Sequence, residues 1–116
     1  MNYKKLTVWQ KADELALEVY RATKHFPKDE IYGLTSQLRR AALSVPTNIV
    51  EGYARKGDKE LGRFVNIALG SLAETEYLLE FSLKLEYLKA ADFERLETLR
   101  AEVGRLLWNF HTKVQL

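Results

Sequence analysis

Apolar residues recur every three or four positions through nearly the whole chain, and this period decides the class of fold. Four segments carry the pattern, over residues 7–25, 29–55, 59–87 and from residue 91 towards the last residue. A spacing of three and four places side chains on one face of an α-helix, whereas a strand alternates every second residue. Leu, Ala, Glu, Lys and Arg, which favour helices, dominate the composition. The sequence therefore predicts an all-α protein.

Short loops separate the four predicted helices, so helices that follow one another should pack antiparallel. The resulting architecture is an up-down-up-down antiparallel four-helix bundle. A chain of 116 residues, 47% of them hydrophobic, matches one domain over residues 1–116. Helices of about 25 residues are about 37 Å long, which predicts a slim rod.

Proline and glycine mark the ends and the irregularities of these helices. Pro27 ends the first helix, and Gly57 closes the second before Asp58 caps the third. Pro46 lies inside the second periodic segment, where it removes a backbone donor and clashes with the carbonyl of Ala42. We expect one helix that is kinked near Pro46. The alternative is two helices that are broken at residues 44–46.

The composition also excludes several kinds of chemistry. The chain has no cysteine and two histidines, so disulfides, thiolate metal sites, iron–sulfur clusters and a cysteine nucleophile are ruled out. Phosphate-binding glycine loops are absent, and Glu51 is better placed for an ion pair than for general-base catalysis. We therefore expect no catalytic residues, no metal and no cofactor. Because there is no apolar run of about 18 residues and no signal peptide, we expect a cytoplasmic protein without a membrane partner.

Basic side chains are concentrated towards the first half of the chain. Residues 1–57 carry a net charge of +4 and residues 58–116 a net charge of −2. A compact group of cations near a helix junction can contact phosphates, although such a group can equally be a solvated cluster. The candidate nucleic-acid-binding residues are Arg39, Arg40, Arg55, Lys56, Lys59 and Arg63.

The third predicted helix has a second face that is unusual for a monomer. Opposite its apolar seam, this face carries small and weakly polar residues where Glu and Lys would be usual. Each glycine inside a helix costs about 1 kcal/mol relative to alanine, which a close contact between subunits could offset. The alternatives are a large side chain of the same chain packed on the glycines, or no role at all. The predicted interface residues are Gly62, Asn66, Gly70, Ala73 and Tyr77.

Three stretches of the chain resemble a known family. Residues 37–55, QLRRAALSVPTNIVEGYAR, resemble the main signature of the bacterial four-helix-bundle proteins encoded in intervening sequences of 23S rRNA genes. Residues 67–74, IALGSLAE, resemble a second signature, and VWQKA at residues 8–12 is similar to the usual start. The positions that match the main signature are Arg39, Arg40, Ser44, Pro46, Asn48, Glu51, Gly52 and Arg55.

The resemblance implies a four-helix bundle that forms homo-oligomeric rings, most often pentamers. The chain also resembles the accessory variability determinant protein of diversity-generating retroelements. That protein is a barrel whose basic surface binds nucleic acid. The family implies no catalytic residues. Together with the charge pattern, this favours a non-enzymatic, self-associating bundle that binds RNA or DNA through a basic surface. The alternative is a protein–protein interaction scaffold without nucleic-acid binding, in which the signature residues form a polar network between helices.

Overall fold

The computed structural model describes residues 2–114, with side chains through residue 113, and all regular secondary structure in this part is helical. Short 3-10 turns at Tyr3–Lys5 and Lys28–Glu30 precede the first and second long helices. The four long helices are α1 at Thr7–Thr23, α2 at Leu34–Ala54, α3 at Asp58–Lys84 and α4 at Ala90–Val114. Residues 2–114 contain no β-strand. The predicted all-α class and the four-helix bundle are therefore confirmed.

The helices pack side by side around one apolar core. Each helix contacts its neighbours in the order α1, α2, α3, α4, and α4 returns to α1. The bundle measures 43 × 25 × 20 Å, in agreement with the predicted slim rod. The largest fully buried apolar side chains come from all four helices and include Leu15, Leu38, Ile49, Leu79, Leu96 and Leu107. These positions follow the three-and-four spacing of apolar residues. The same spacing includes Tyr20 in the first segment and Ile31 in the second, yet these two residues are 37% and 47% exposed.

The second helix is continuous, as expected, but it begins later than predicted. It runs without interruption through Pro46, which is buried, so the alternative of two broken helices is wrong. It begins at Leu34 and not at Asp29, because residues 28–33 form a 3-10 turn and a further turn. Glu30 lies outside the helix and accepts a hydrogen bond from the backbone N–H of Leu34 at 3.1 Å. Its carboxylate thus satisfies a free donor at the start of α2.

The junction between α2 and α3 is a tight turn at one end of the rod. Gly57 has a φ of +89°, a left-handed conformation that side chains disfavour. Asp58 is the first residue of α3 and makes no side-chain capping bond, so the prediction that it caps the helix is wrong. Gly52 lies close to α3, since a Cβ there would be 2.9 Å from Leu61 Cδ1 and 3.1 Å from Phe64 Cβ. The ends of α2 and α3 therefore approach each other closely.

Candidate functional site

Basic residues collect at the end of the rod where α2 ends and α3 begins. The antiparallel topology brings residues 2–6 and the last turn of α4 to the same end, and the turn at Tyr3–Lys5 packs against α2. We call this the basic end; its charged residues are Lys4, Lys5, Arg55, Lys56, Lys59, Arg63 and Lys113, with Glu51, Asp58 and Glu60. The basic end carries a net charge of +4, whereas the rest of the chain carries −2.

The far end of the rod is electrically balanced. Its four lysines are matched by four carboxylates, and these charged residues are Lys24, Lys28, Lys84 and Lys89, with Asp29, Glu30, Glu86 and Asp92. The rod is therefore polarised along its axis. A polyanion would be attracted to the basic end and not to the far end.

Two arginines at the basic end share one aromatic support. The guanidinium carbons of Arg55 and Arg63 lie 5.2 and 4.5 Å from the ring centre of Phe64. Arg55 is ion-paired with Glu51 at 3.5 Å, and Arg63 with Glu60 at 3.1 Å. All four side chains are exposed, and exposed pairs of this kind contribute only about 0–1 kcal/mol, so phosphate could replace the carboxylates.

Lys56 and Lys59 are the cations of this junction that form no ion pair among the described residues. Both are exposed. Close by, Tyr53 packs against Phe110 with 6.0 Å between ring centres, and burial raises the pKa of the Tyr53 phenol. The junction thus combines a packed pair of aromatic side chains with four exposed cations, which are Arg55, Lys56, Lys59 and Arg63.

The two other predicted phosphate contacts, Arg39 and Arg40, lie away from the basic end. Arg39 Nε donates a hydrogen bond to Thr23 Oγ1 at 2.7 Å, and its guanidinium covers the ring of Tyr20 at 4.9 Å. It therefore joins α2 to α1. Arg40 is exposed and lies 15 residues before Arg55, which is about 22 Å along a helix. The structure brings four of the six predicted cations together and separates these two.

The signature residues Ser44 and Asn48 form a polar network between α2 and α3. The hydroxyl oxygens of Ser44 and Ser71 are 2.8 Å apart, and Asn48 Nδ2 donates to both the hydroxyl and the carbonyl of Ser44 at 2.8 Å. All three side chains are half-buried. A network of this kind sets the register of the two helices, which is a structural role.

Beside this network lies an open groove of about 610 Å³. Arg40 and Glu74 line it, and neither forms an ion pair among the described residues. Its other lining residues are Tyr32, Gly33, Ser36, Gln37, Ala41, Ser44 and Ser71. The groove thus offers hydroxyl groups and one charge of each sign to whatever covers this side of the bundle.

The predicted interface residues lie on the outer side of α3. Gly62 is half-buried, whereas Asn66, Gly70, Ala73 and Tyr77 are exposed. An added Cβ at Gly70 would meet nothing within 4 Å, and Tyr77 is 61% exposed. No large side chain of the same chain therefore covers Gly70, which removes one of the two alternatives for this glycine.

A charge-free surface extends from this stripe onto α2. Residues 41–50 of α2 and residues 64–73 of α3 contain no charged side chain, and the Ser44–Ser71 contact shows that the two segments lie side by side. Leu43 and Ile67 on these segments are 45% and 41% exposed. We call this surface the neutral face. Charged residues are depleted in the same way at the centres of protein interfaces.

Glu76 is the acidic residue of α3 that joins α3 to α4 among the residues that the structure describes. Arg100 of α4 bonds Glu97 at 2.5 Å and Glu76 of α3 at 3.1 Å, and its hydrogen bond to Glu97 raises the pKa of Arg100. Residues 2–114 contain no group of three or more His, Asp or Glu side chains that could hold a metal ion. No helix in this part of the chain is both long enough and apolar enough to cross a bilayer.

One exposed aromatic residue is not among the predicted site residues. Trp108 of α4 is 57% exposed. The seam of α4 runs through Val103, Leu107 and Phe110, and a residue one position after Leu107 points away from it. The helical period of α4 is therefore the sequence signal that places Trp108 on the outer side of the bundle.

The fold and these surfaces define a small all-α bundle whose distinguishing features are a basic end and a neutral face. Residues 4–109 match the family described as 23S rRNA-intervening sequence protein, and the chain belongs to this family. The predicted resemblance is thus confirmed. A comparison with curated proteins finds no match.

The chain is also similar to a solved structure. This is the crystal structure of a protein of unknown function from the S23 ribosomal protein family of Bacteroides thetaiotaomicron VPI-5482. The two chains are 25% identical, the match covers 90% of this chain and 98% of the other, and the TM-score is 0.81.

Proposed function

We propose that the chain is a non-enzymatic bundle that associates with copies of itself through the neutral face and binds RNA or DNA through the basic end. The observation that carries the proposal is the separation of these two surfaces on one rod. The family resemblance favours a ring, with a pentamer as the preferred size. We place this activity in the cytoplasm.

The argument for self-association rests on the surface chemistry of α2 and α3. Two adjacent ten-residue segments without charge, in a chain that is 29% charged, leave an exposed strip that water solvates poorly. Gly70 lies open on this strip, so the backbone of a second copy could come close to α3. Arg40 and Glu74 in the adjoining groove would then lie at the polar rim, as is usual for interfaces.

The argument for nucleic-acid binding rests on the basic end. Its cations come from α3, from α4, from the turn at Tyr3–Lys5 and from the turn between α2 and α3, so one approaching phosphate backbone could contact several of them. The proposal of a non-enzymatic role is supported by the positions of the candidate acids and bases. Glu51 is paired with Arg55, His25 is exposed just beyond α1, and His111 is buried in α4.

Light scattering at micromolar concentration tests self-association. Wild-type protein is expected to have the mass of an assembly, and Leu43→Glu, which places a charge on the neutral face, is expected to shift it to the monomer. Leu17→Glu is the matched control, since Leu17 is 49% exposed on α1 and Leu43 is 45% exposed on α2. A monomeric wild-type protein contradicts this part of the proposal.

Electrophoretic shift at several salt concentrations tests nucleic-acid binding, with short RNA and duplex DNA as probes. Removal of both cations in Lys56→Ala/Lys59→Ala is expected to weaken binding and to reduce the salt slope by about two, at about 0.9 per phosphate contact. Lys24→Ala/Lys28→Ala at the balanced far end is the matched control and is expected to leave the slope unchanged. Equal effects of the two double variants would contradict a role for the basic end.

The second candidate function is a scaffold that binds another protein, and the groove is the observation that favours it. Opposite charges at Arg40 and Glu74, with several hydroxyl groups between them, suit a peptide surface better than a phosphate backbone. An assembled protein that binds neither RNA nor DNA, and that captures a partner in the presence of nuclease, would support this candidate.

A further inference from the structure

Trp108 is an exposed aromatic ring at the basic end of the bundle. His111 stacks against it, with ring centres 5.4 Å apart and planes inclined by 30°, and His111 itself is buried. The indole is therefore supported from the protein side while 57% of the residue faces outward. Two residues further along α4, Phe110 packs against Tyr53 near the end of α2. Trp108 thus lies within two turns of the cations of the basic end.

The segments of α4 and α3 nearest to Trp108 contain no acidic residue. Residues 103–113 of α4 contain Arg105 and Lys113 but no Asp or Glu, and residues 61–73 of α3 contain Arg63 but no Asp or Glu. These two segments lie side by side, because a Cβ at Gly104 would be 3.5 Å from Leu72 Cδ2. Arg105 is exposed and forms no ion pair among the described residues.

We propose that Trp108 stacks on an unpaired base of single-stranded RNA or DNA, while Arg105 contacts a phosphate beside that base. The inference rests on the proposed nucleic-acid binding and specifies the form of the nucleic acid. Proteins bind single strands through cations that follow the backbone and aromatic rings that accept bases. In a duplex the faces of the bases are already stacked, so an exposed indole adds little to duplex binding.

The spacing along α4 fits this role. Arg105 precedes Trp108 by three residues, so the two side chains lie on neighbouring positions of one helix face. Lys113 follows Trp108 by five residues, and the helical rotation of about 140° between them places it on another side of α4. One base and an adjacent phosphate could therefore contact both Trp108 and Arg105.

Fluorescence gives the direct test, because the chain has two tryptophans. Trp9→Phe leaves Trp108 as the one indole, and titration with a short oligothymidylate or oligouridylate is expected to quench its emission. A blunt duplex of the same length is expected to cause little quenching. If Trp9→Phe does not fold, the difference in quenching between wild-type protein and Trp108→Phe gives the same information.

Affinity gives the second test. Trp108→Ala is expected to weaken binding of the single strand by about tenfold, as one base–aromatic contact does, and to change duplex binding by less than about twofold. Trp108→Phe, which keeps an aromatic face, is expected to retain most of the affinity. Tyr32→Ala is the control, since Tyr32 is 95% exposed and lies in the turn before α2 at the far end.

The outcomes separate this inference from the function on which it rests. If wild-type protein binds single strands and duplexes but Trp108→Ala binds both as well as wild type does, the inference is overturned and the proposed function stands. If wild-type protein binds no nucleic acid, both are overturned. If Trp108→Ala dissociates the assembly and leaves single-strand affinity unchanged, Trp108 contacts a second copy and the inference is wrong.

Discussion

Replacement of Gly70 by alanine separates the isolated protomer from its assembly, because the two should respond in opposite directions. Within α3, alanine is favoured over glycine by about 1 kcal/mol. An added Cβ at Gly70 meets nothing within 4 Å, so no steric cost offsets this gain in the protomer. We expect Gly70→Ala to raise the midpoint of thermal unfolding of the dissociated protein by about 4 °C.

The assembly should lose what the protomer gains. If a second copy approaches the backbone at Gly70, the new methyl group must be accommodated in a packed interface. Overpacking of this kind costs about 1–3 kcal/mol, which corresponds to association that is roughly 5- to 150-fold weaker. The expected pattern is a more stable protomer that associates more weakly.

Gly104→Ala is the matched control. A Cβ at Gly104 would lie 3.5 Å from Leu72 Cδ2 and 3.6 Å from Arg100 Nη1, which are ordinary contact distances inside the bundle. The same gain of about 1 kcal/mol is expected, with no change in association. Denaturant unfolding at low concentration measures the first quantity, and sedimentation at high concentration measures the second. If both variants sediment like wild-type protein, Gly70 does not lie in an interface and the reasoning is refuted.

Three further predictions concern the bundle itself. Ser71→Ala should destabilise it by about 1 kcal/mol, because the hydroxyl of Ser44 loses its partner on α3; a double-mutant cycle of the two serines by urea unfolding should show coupling, and additive effects would argue against the network. Gly57→Ala should cost about 1 kcal/mol in the same assay, since φ is +89°, and a neutral result would mean that the turn adjusts. Arg39→Met should lower stability by about 1–2 kcal/mol through loss of the bond to Thr23, yet leave the salt slope of nucleic-acid binding unchanged; a reduced slope would return Arg39 to the binding surface.

Helix ends were less predictable than helix seams. The acidic pair at residues 29 and 30 is typical of a helix start, yet α2 begins at Leu34. The reason is that Glu30 serves the helix from outside, through a bond to the N–H of Leu34, and also accepts a bond from the hydroxyl of Tyr87 at 3.2 Å. Tyr87 lies 57 residues away, so no local pattern reports this contact.

The class of fold, the number of helices and most of the core were determined by the sequence alone. An apolar side chain every three or four residues can be buried only on one face of a helix, and this constraint acts within a few turns. The periodicity also continues across Pro46, which is why one helix was expected there. The sequence also indicated a glycine turn between α2 and α3, but Gly57 is the N-cap of α3 and does not close α2, whose C-cap is Arg55.

Only the tertiary structure decided which candidate residues share a surface. Arg39 and Arg40 are neighbours in sequence, but about 100° of helical rotation separates them, so one joins α1 and the other enters the groove. Arg55 directly follows α2 and Arg63 lies in α3, and the tight turn at Gly57 places both on the ring of Phe64. The net charge of a surface depends on which chain segments the fold brings together, and those segments are distant in sequence.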